Sequence, residues 1–206
     1  MESIALPLIG VEFPTFTGLR IYMQKFKVAA IVGRKGTPAQ YAEMLRDMVL
    51  HAGLRFDMDV HLTVDEKFVP QGQKHRRGGA HVDGNFIFDW GGGGGTGWLN
   101  GGPGRVLTPE QHKLQYQSPL GGTIIASNFA ACDVWTGTLD GIPGQGGDCE
   151  HLRDQFDGLT KFRMAANHAY VGNSLFVHEG MPLNRPFERQ LVRLTLAPDF
   201  DIRTLQ

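Results

Sequence analysis

Among the eight histidines of the chain, only His81 has an acid two positions further on, Asp83. Residues i and i+2 of a strand project from the same face, so the imidazole and the carboxylate would point together into the protein interior. They are two of the three ligands of a 2-His-1-carboxylate facial triad, which leaves open coordination positions on Fe(II). Eight histidines produce roughly one such pair by chance. A surface histidine beside a solvated aspartate is therefore the alternative.

The C-terminal part of the chain offers a third ligand and two further polar groups. His178 ends a short apolar strand, and Arg189, Leu191, Arg193 and Thr195 share one face of the next predicted strand. Two arginines on an otherwise apolar strand are costly unless they meet anions. The planar guanidinium matches a carboxylate, such as the C5 carboxylate of 2-oxoglutarate. For both arginines, a structural salt bridge to Asp or Glu is the alternative.

Together these residues resemble a known superfamily. The order His81-x-Asp83, a distal His178, and Arg189-x-x-x-Arg193-x-Thr195 is similar to the Fe(II)/2-oxoglutarate-dependent dioxygenases. The spacing after the distal histidine looks like that of the taurine dioxygenase and phytanoyl-hydroxylase branches. The resemblance covers mainly residues 75 to 196, and the stretches 177–182 and 189–196 carry most of it.

The resemblance implies a double-stranded β-helix in which His81, Asp83 and His178 hold Fe(II) and Arg189 binds 2-oxoglutarate. Arg193 would assist the co-substrate or meet an anionic substrate. With O2, the expected outcome is hydroxylation of a substrate that the sequence does not identify. The second polar residue that commonly holds the co-substrate stays open among three residues: Thr123, Asn85 and Tyr116. The glycine-rich insertion from Gly91 to Gly104 departs from the family, and we interpret it as a flap in which Trp90 and Trp98 could cover a substrate.

The hydrophobic pattern predicts a mainly β (α+β) fold. Strands are expected within residues 19–33, 55–69, 85–90, 122–127, 132–138, 174–178 and 189–196. One helix should start at an N-cap Thr37, with Pro38 and Gln40 completing a capping-box arrangement, and a second should lie within residues 149–166. Many short strands between Gly/Pro turns, with helices outside, indicate a jelly-roll sandwich or barrel. We expect one domain over residues 1–206, in which residues 1–70 support a core at 75–196.

Composition excludes few classes. A net charge of −1 gives no general attraction to nucleic acid or membranes. The basic run at residues 74–77 is interpreted as solvated surface, although it leaves a nucleic-acid substrate open. Two cysteines make no disulfide scaffold, the first residues lack the basic region of a signal peptide, and no apolar stretch could span a bilayer. The expected location is the cytoplasm, and a homo-oligomer is left open.

Three alternatives remain at this point. His168 competes for the third ligand position, but it lacks two arginines at the matching downstream distance. The chain could instead be a non-catalytic jelly-roll subunit, for example in a virus particle, that retains only the fold. A cupin-like metalloenzyme is the third alternative, although it would gather more histidines on neighbouring strands.

Overall fold

The computed structural model describes residues 1–85 and 108–205. Ten strands and three α-helices form its regular elements, and all strand pairs are antiparallel. The strands are β1 (Glu2–Ser3), β2 (Ala5–Gly10), β3 (Arg20–Lys27), β4 (Asp59–Val69), β5 (Gly122–Ser127), β6 (Cys132–Thr138), β7 (Thr160–Arg163), β8 (His168–Asn173), β9 (Val177–Gly180) and β10 (Phe187–Thr195). The helices are α1 (Val28–Val32), α2 (Ala42–His51) and α3 (Pro109–Gln117). The mainly β, α+β class predicted from the sequence is confirmed.

The strands form two sheets. The large sheet has the order β2-β8-β5-β10-β4-β3, and in the small sheet β6 pairs with β1, β7 and β9. A single bridge residue, His81, extends the small sheet beside β9 by pairing with His178. The large sheet therefore places β10, with its two arginines, between β4 and β5.

The two faces of the large sheet pack against different partners. On the outer face, alternate residues such as Val60, Ile124 and Leu194 join one hydrophobic core with Leu45 and Met48 of α2. On the inner face, the alternate positions pack against the small sheet, in a cluster of Ile125, Val134, Tyr170, Phe176 and Leu191. Side-chain alternation along each strand thus separates a helix-covered face from an inter-sheet face, and the candidate site lies on the latter.

Helix α2 provides a direct test of the outer core. Leu45 is completely buried, whereas Leu50 on the same helix is 41% exposed. We expect Leu45→Ala to lower the free energy of unfolding by about 2–5 kcal/mol, because the cavity adds to the lost transfer energy. Leu50→Ala, the matched control, should change it by less than about 1 kcal/mol. Urea unfolding measures both, and equal effects would contradict the assignment of the outer face.

Several predicted boundaries differ from the structure. Strands β5 and β6 coincide with the predicted ranges, but the predicted strand within residues 19–33 ends at Lys27 and α1 follows it. The capping box at Thr37 is wrong, because α2 begins at Ala42 without a side-chain cap and Gln40 donates to Thr17 Oγ1 (3.0 Å) instead. A capping box does form at Thr108 and Gln111, at the start of α3.

The predicted helix within residues 149–166 is a 3₁₀ segment (Glu150–Gly158) followed by β7. The predicted strand at residues 85–90 and the predicted flap at residues 91–104 lie outside the described residues, apart from Asn85, which is in no strand. Both cysteines, Cys132 and Cys149, are unpaired, as expected. No helix among residues 1–85 and 108–205 is both long enough and apolar enough to cross a membrane.

Candidate metal centre

The three residues predicted as metal ligands lie together between the sheets. One ligand atom from each of His81, Asp83 and His178 lies within 4.8 Å of the others. The backbones of His81 and His178 pair directly, with N–O distances of 3.0 and 2.9 Å. His81 is an isolated bridge residue, paired also with Asp148, and does not belong to a regular strand. Within residues 1–85 and 108–205, this is the one group of three or more such side chains close enough to hold a metal ion.

The two imidazole rings are held in the same way. Nδ1 of His81 lies 2.8 Å from the Gly79 carbonyl, and Nδ1 of His178 lies 3.3 Å from the Phe176 carbonyl. When each Nδ1–H donates to its carbonyl, each Nε2 keeps a lone pair available to a metal. The His178 ring also stacks on Phe176, with 4.5 Å between the ring centroids. The backbone therefore fixes both the tautomer and the orientation of the ligand nitrogens.

The two carboxylate oxygens of Asp83 have different surroundings. Oδ1 accepts a hydrogen bond from Arg193 Nη1 at 2.9 Å. Oδ2 is buried and has no hydrogen-bond partner in the described part of the chain. A buried, unpaired carboxylate oxygen is unfavourable unless a cation or a donor meets it. An oxygen of this kind beside two oriented imidazoles fits a divalent transition metal.

The protonation states also suit a metal. Burial lowers the pKa of His81 well below its ordinary value, and the neighbouring His178 lowers it further. Burial likewise lowers the pKa of His178. Burial alone would raise the pKa of Asp83, but the charge of Arg193 and the two histidines outweigh it and hold that pKa well below its usual range. Two neutral imidazoles and one carboxylate are the ligand forms.

These shifts predict an acid-sensitive fold for the metal-free protein. The folded histidines bind protons more weakly than in the unfolded chain, where their pKa is about 6.5. Their contribution to stability is therefore complete above pH 6.5 and is lost as the pH falls towards the folded pKa, at up to about 1.4 kcal/mol per pH unit for each histidine. We expect a lower free energy of unfolding at pH 5.5 than at pH 7.5, measured with urea. His81→Gln should reduce the difference; equal stability of the unmodified chain at both pH values would contradict the burial argument.

Arg189 and Arg193 lie on the inter-sheet face of β10 with Leu191, as the strand pattern predicts. Arg193 takes the salt bridge to Asp83. Arg189 is only 3% exposed, and its Nε donates to Ser127 Oγ at 3.1 Å. In the part of the chain that the structure describes, no acidic side chain lies within ion-pair distance of Arg189. Burial lowers its pKa, so the guanidinium occupies an environment that disfavours its charge.

The other residues that the sequence offered as a ligand or as a co-substrate contact make separate contacts. Thr123 donates to the Leu194 carbonyl, and Asn85 donates to Ser118 Oγ and to the Pro198 carbonyl. Tyr116 packs in a separate cluster that contains Val82. His168 lies at the start of β8 and is not in the metal group. The side chain that contacts Arg189 is Ser127, which the sequence interpretation missed because its position depends on the pairing of β5 with β10.

The interpretation of residues 74–77 as one solvated surface is wrong. The side chain of His75 is completely buried, and its Nε2 lies 3.2 Å from Asp65 Oδ2. Lys74 forms an ion pair with Glu179, whereas Arg77 is exposed and donates to the Gly146 carbonyl. The run therefore has an inward-facing side, where His75 lies beside Asp65 of β4, and an outward-facing side, where Arg77 is exposed.

Comparisons of the chain with protein-family models, with curated proteins and with solved structures find no match.

Proposed function

We propose that this protein is an Fe(II)- and 2-oxoglutarate-dependent oxygenase that hydroxylates an organic substrate. The observation that carries the proposal is the combination of a His81–Asp83–His178 group with a buried Arg189 on the same inter-sheet face that has no acidic partner among the described residues. The first element offers the ligands of a facial triad, and the second offers a site for a carboxylate. Neither the three metal-ligand residues alone nor Arg189 alone would favour a co-substrate that binds a metal at one end and carries a carboxylate at the other.

The strand order supports a double-stranded β-helix. Eight segments follow one another along the chain: β4, the His81 bridge, β5, β6, β7, β8, β9 and β10. In these ordinals, the large sheet contains the order 1-8-3-6 and the small sheet the order 2-7-4-5. Consecutive segments cross from one sheet to the other, except the fourth and fifth, which are neighbours in the small sheet, and this order supports a jelly roll. Such a fold would hold His81 and His178 on paired neighbours at one end of the small sheet.

The residues have separable roles in this proposal. Nε2 of His81, Nε2 of His178 and the carboxylate of Asp83 would hold Fe(II). When bound, the metal supplies a site for the oxo and C1 carboxylate groups of 2-oxoglutarate and for oxygen activation. Arg193 holds the Asp83 carboxylate ionised and in place through its 2.9 Å hydrogen bond. The overall reaction consumes one O2, places one oxygen atom in succinate and the other in the hydroxylated product, and releases CO2.

Arg189 would bind the distal carboxylate of 2-oxoglutarate. It lies four residues before Arg193 on the same strand face, about 13 Å along the strand at 3.3 Å per residue. An extended 2-oxoglutarate that reaches from a metal beside Asp83 towards Arg189, together with the lengths of the two arginine side chains, can span this separation. Leu191 lies between the two arginines and packs with Ile125 and Phe176, so the intervening wall is apolar and excludes water.

Anaerobic addition of Fe(II) and then 2-oxoglutarate tests the proposal. A visible metal-to-ligand charge-transfer band should form with the unmodified protein and should be absent in His81→Ala. Addition of oxygen should then yield succinate even without the primary substrate. If the unmodified protein gives no band, the proposed function is wrong. A band without succinate formation would instead favour the non-catalytic jelly-roll subunit.

A further inference from the structure

His75 is a buried histidine whose ring nitrogens are unsatisfied. Its side chain is completely buried, and neither nitrogen has an aligned hydrogen-bond partner among the described residues. The nearest acid is Asp65, whose Oδ2 lies 3.2 Å from His75 Nε2, while its Oδ1 accepts a hydrogen bond from Arg20. Buried polar groups are nearly always bonded, so an unsatisfied imidazole requires an explanation.

Strand register places Asp65, the acid beside His75, on the same face of the large sheet as Arg189. Leu191 of β10 pairs with Asp65 of β4 on one side and with Ser127 of β5 on the other. Directly opposed residues project from the same face, so Asp65 and Ser127 lie on the inter-sheet face beside Leu191. Arg189 is two residues further along that face and bonds to Ser127. His75 lies beside this row, with its Nε2 3.2 Å from Asp65 Oδ2.

Electrostatics is consistent with this placement. Burial lowers the pKa of His75, the carboxylate of Asp65 partly offsets that effect, and the charges of Arg189 and Arg76 lower the pKa further. Asp65 is already engaged by Arg20 and by His75, and it forms no ion pair with Arg189. Among the described residues, a buried guanidinium without an acidic partner therefore lies near enough to the buried imidazole of His75 for its charge to lower the pKa of that ring. We call Arg189, Ser127 and His75 the carboxylate pocket.

We propose that His75 is the second binding residue for the distal carboxylate of 2-oxoglutarate, acting with Arg189 and Ser127, while Asp65 is a positioning residue that orients the imidazole. The inference rests on the proposed function, because it assigns a residue to the co-substrate of that site. One carboxylate can accept hydrogen bonds from the guanidinium, the hydroxyl and the imidazole at once. Its charge also compensates the buried cation.

Carboxylate binding at this pocket should change the protonation of His75. When His75 is neutral and Nε2–H faces Asp65, Nδ1 carries a lone pair and cannot donate to a carboxylate. A bound carboxylate favours the imidazolium, which donates to Asp65 and to the ligand together. Binding of 2-oxoglutarate should therefore be accompanied by proton uptake, and its affinity should fall as the pH rises through the pKa of His75 in the complex.

The test compares two ligands of equal chain length. Dissociation constants for 2-oxoglutarate and for 2-oxopentanoate, which has a methyl group in place of the distal carboxylate, are measured anaerobically with the Fe(II)-loaded protein. The unmodified chain should prefer 2-oxoglutarate. In His75→Phe this preference should shrink by about tenfold or more, the loss expected for one hydrogen bond to a charged group. His75→Gln, which keeps an N–H donor, should show an intermediate loss.

The controls separate the two proposals. Binding of 2-oxopentanoate and of Fe(II) should be unchanged in both variants, and His151→Phe, at a half-exposed histidine, should behave as the unmodified chain. If the unmodified protein does not prefer 2-oxoglutarate, the proposed function fails. If it does, but the His75 variants keep the full preference, only the role of His75 is overturned. Should His75→Phe not fold, calorimetry in two buffers of different ionisation enthalpy replaces it: proton uptake that is lost in His75→Gln supports the proposal, and unchanged uptake overturns it.

Discussion

Replacing His178 by alanine should raise the dissociation constant for Fe(II) or Co(II) by at least about 100-fold. Loss of a group that only orients a metal ligand already costs 10- to 100-fold in affinity, and His178 would be a ligand itself. The remaining groups, Nε2 of His81 and the Asp83 carboxylate, form an incomplete set. Anaerobic titration followed by the Co(II) absorption spectrum or by calorimetry measures the change. Succinate formation should be lost together with metal binding.

The matched control is His168→Ala, because His168 is the other histidine that the sequence allows as third ligand. His168 lies in β8 with its ring 5.2 Å from Tyr170, in the large sheet. We expect metal affinity within about twofold of the unmodified protein for this variant. The His178 variant should still fold, since the pairing of residues 81 and 178 uses only backbone atoms. An unchanged metal affinity in His178→Ala would reject the site, and a loss in His168→Ala alone would transfer the third ligand to β8.

The sequence predicted those strands whose pattern has a local cause. Strands β5 and β6 have β-branched residues next to glycine or turn residues, and their bounds agree with the prediction. Residues 28–32 have the same β-branched character, yet they form α1, because Val28 and Ile31 are one helical turn apart and both enter the outer core. The signature Thr-Pro-x-Gln occurs at Thr37 and at Thr108, but only the second forms a capping box. Tertiary packing decides between such equal local signals.

The residues of the candidate site also divide into those that the sequence could predict and those that it could not. His81, Asp83, His178 and Arg189 could be proposed from type and spacing, since a His-x-Asp pair, a distal histidine and two arginines on an apolar strand together form a recognisable combination. Ser127 and His75 could not, because Ser127 meets Arg189, and His75 meets Asp65 on the same face, only through the register of β4 and β5 on β10. The burial of His75 was also not predicted, because its sequence neighbours are charged and a charged run is typical of solvated surface. Pairing register between distant strands is the information that a single sequence lacks.

Arg189→Met should weaken 2-oxoglutarate binding by about 100-fold without weakening the binding of Fe(II). The variant keeps an unbranched side chain of similar length but removes the guanidinium, whose bonds to a carboxylate are bidentate and charge-assisted. Dissociation constants from the charge-transfer band, measured with each ligand in turn, report both effects. Binding of 2-oxopentanoate should be unaffected, because that ligand has no distal carboxylate to lose.

Stability distinguishes a binding arginine from a structural one. Without ligand, Arg189 is a buried cation that has no acidic partner among residues 1–85 and 108–205, so Arg189→Met should leave the free energy of unfolding of the ligand-free protein unchanged or raise it. Arg193→Met, the matched substitution on the same strand face, removes the partner of Asp83 and should lower that free energy by roughly 1–3 kcal/mol. Of the two variants, only Arg193→Met should therefore unfold at a lower urea concentration than the unmodified chain. A destabilised Arg189→Met that still binds 2-oxoglutarate tightly would make Arg189 a structural residue, and the co-substrate would then need another anchor.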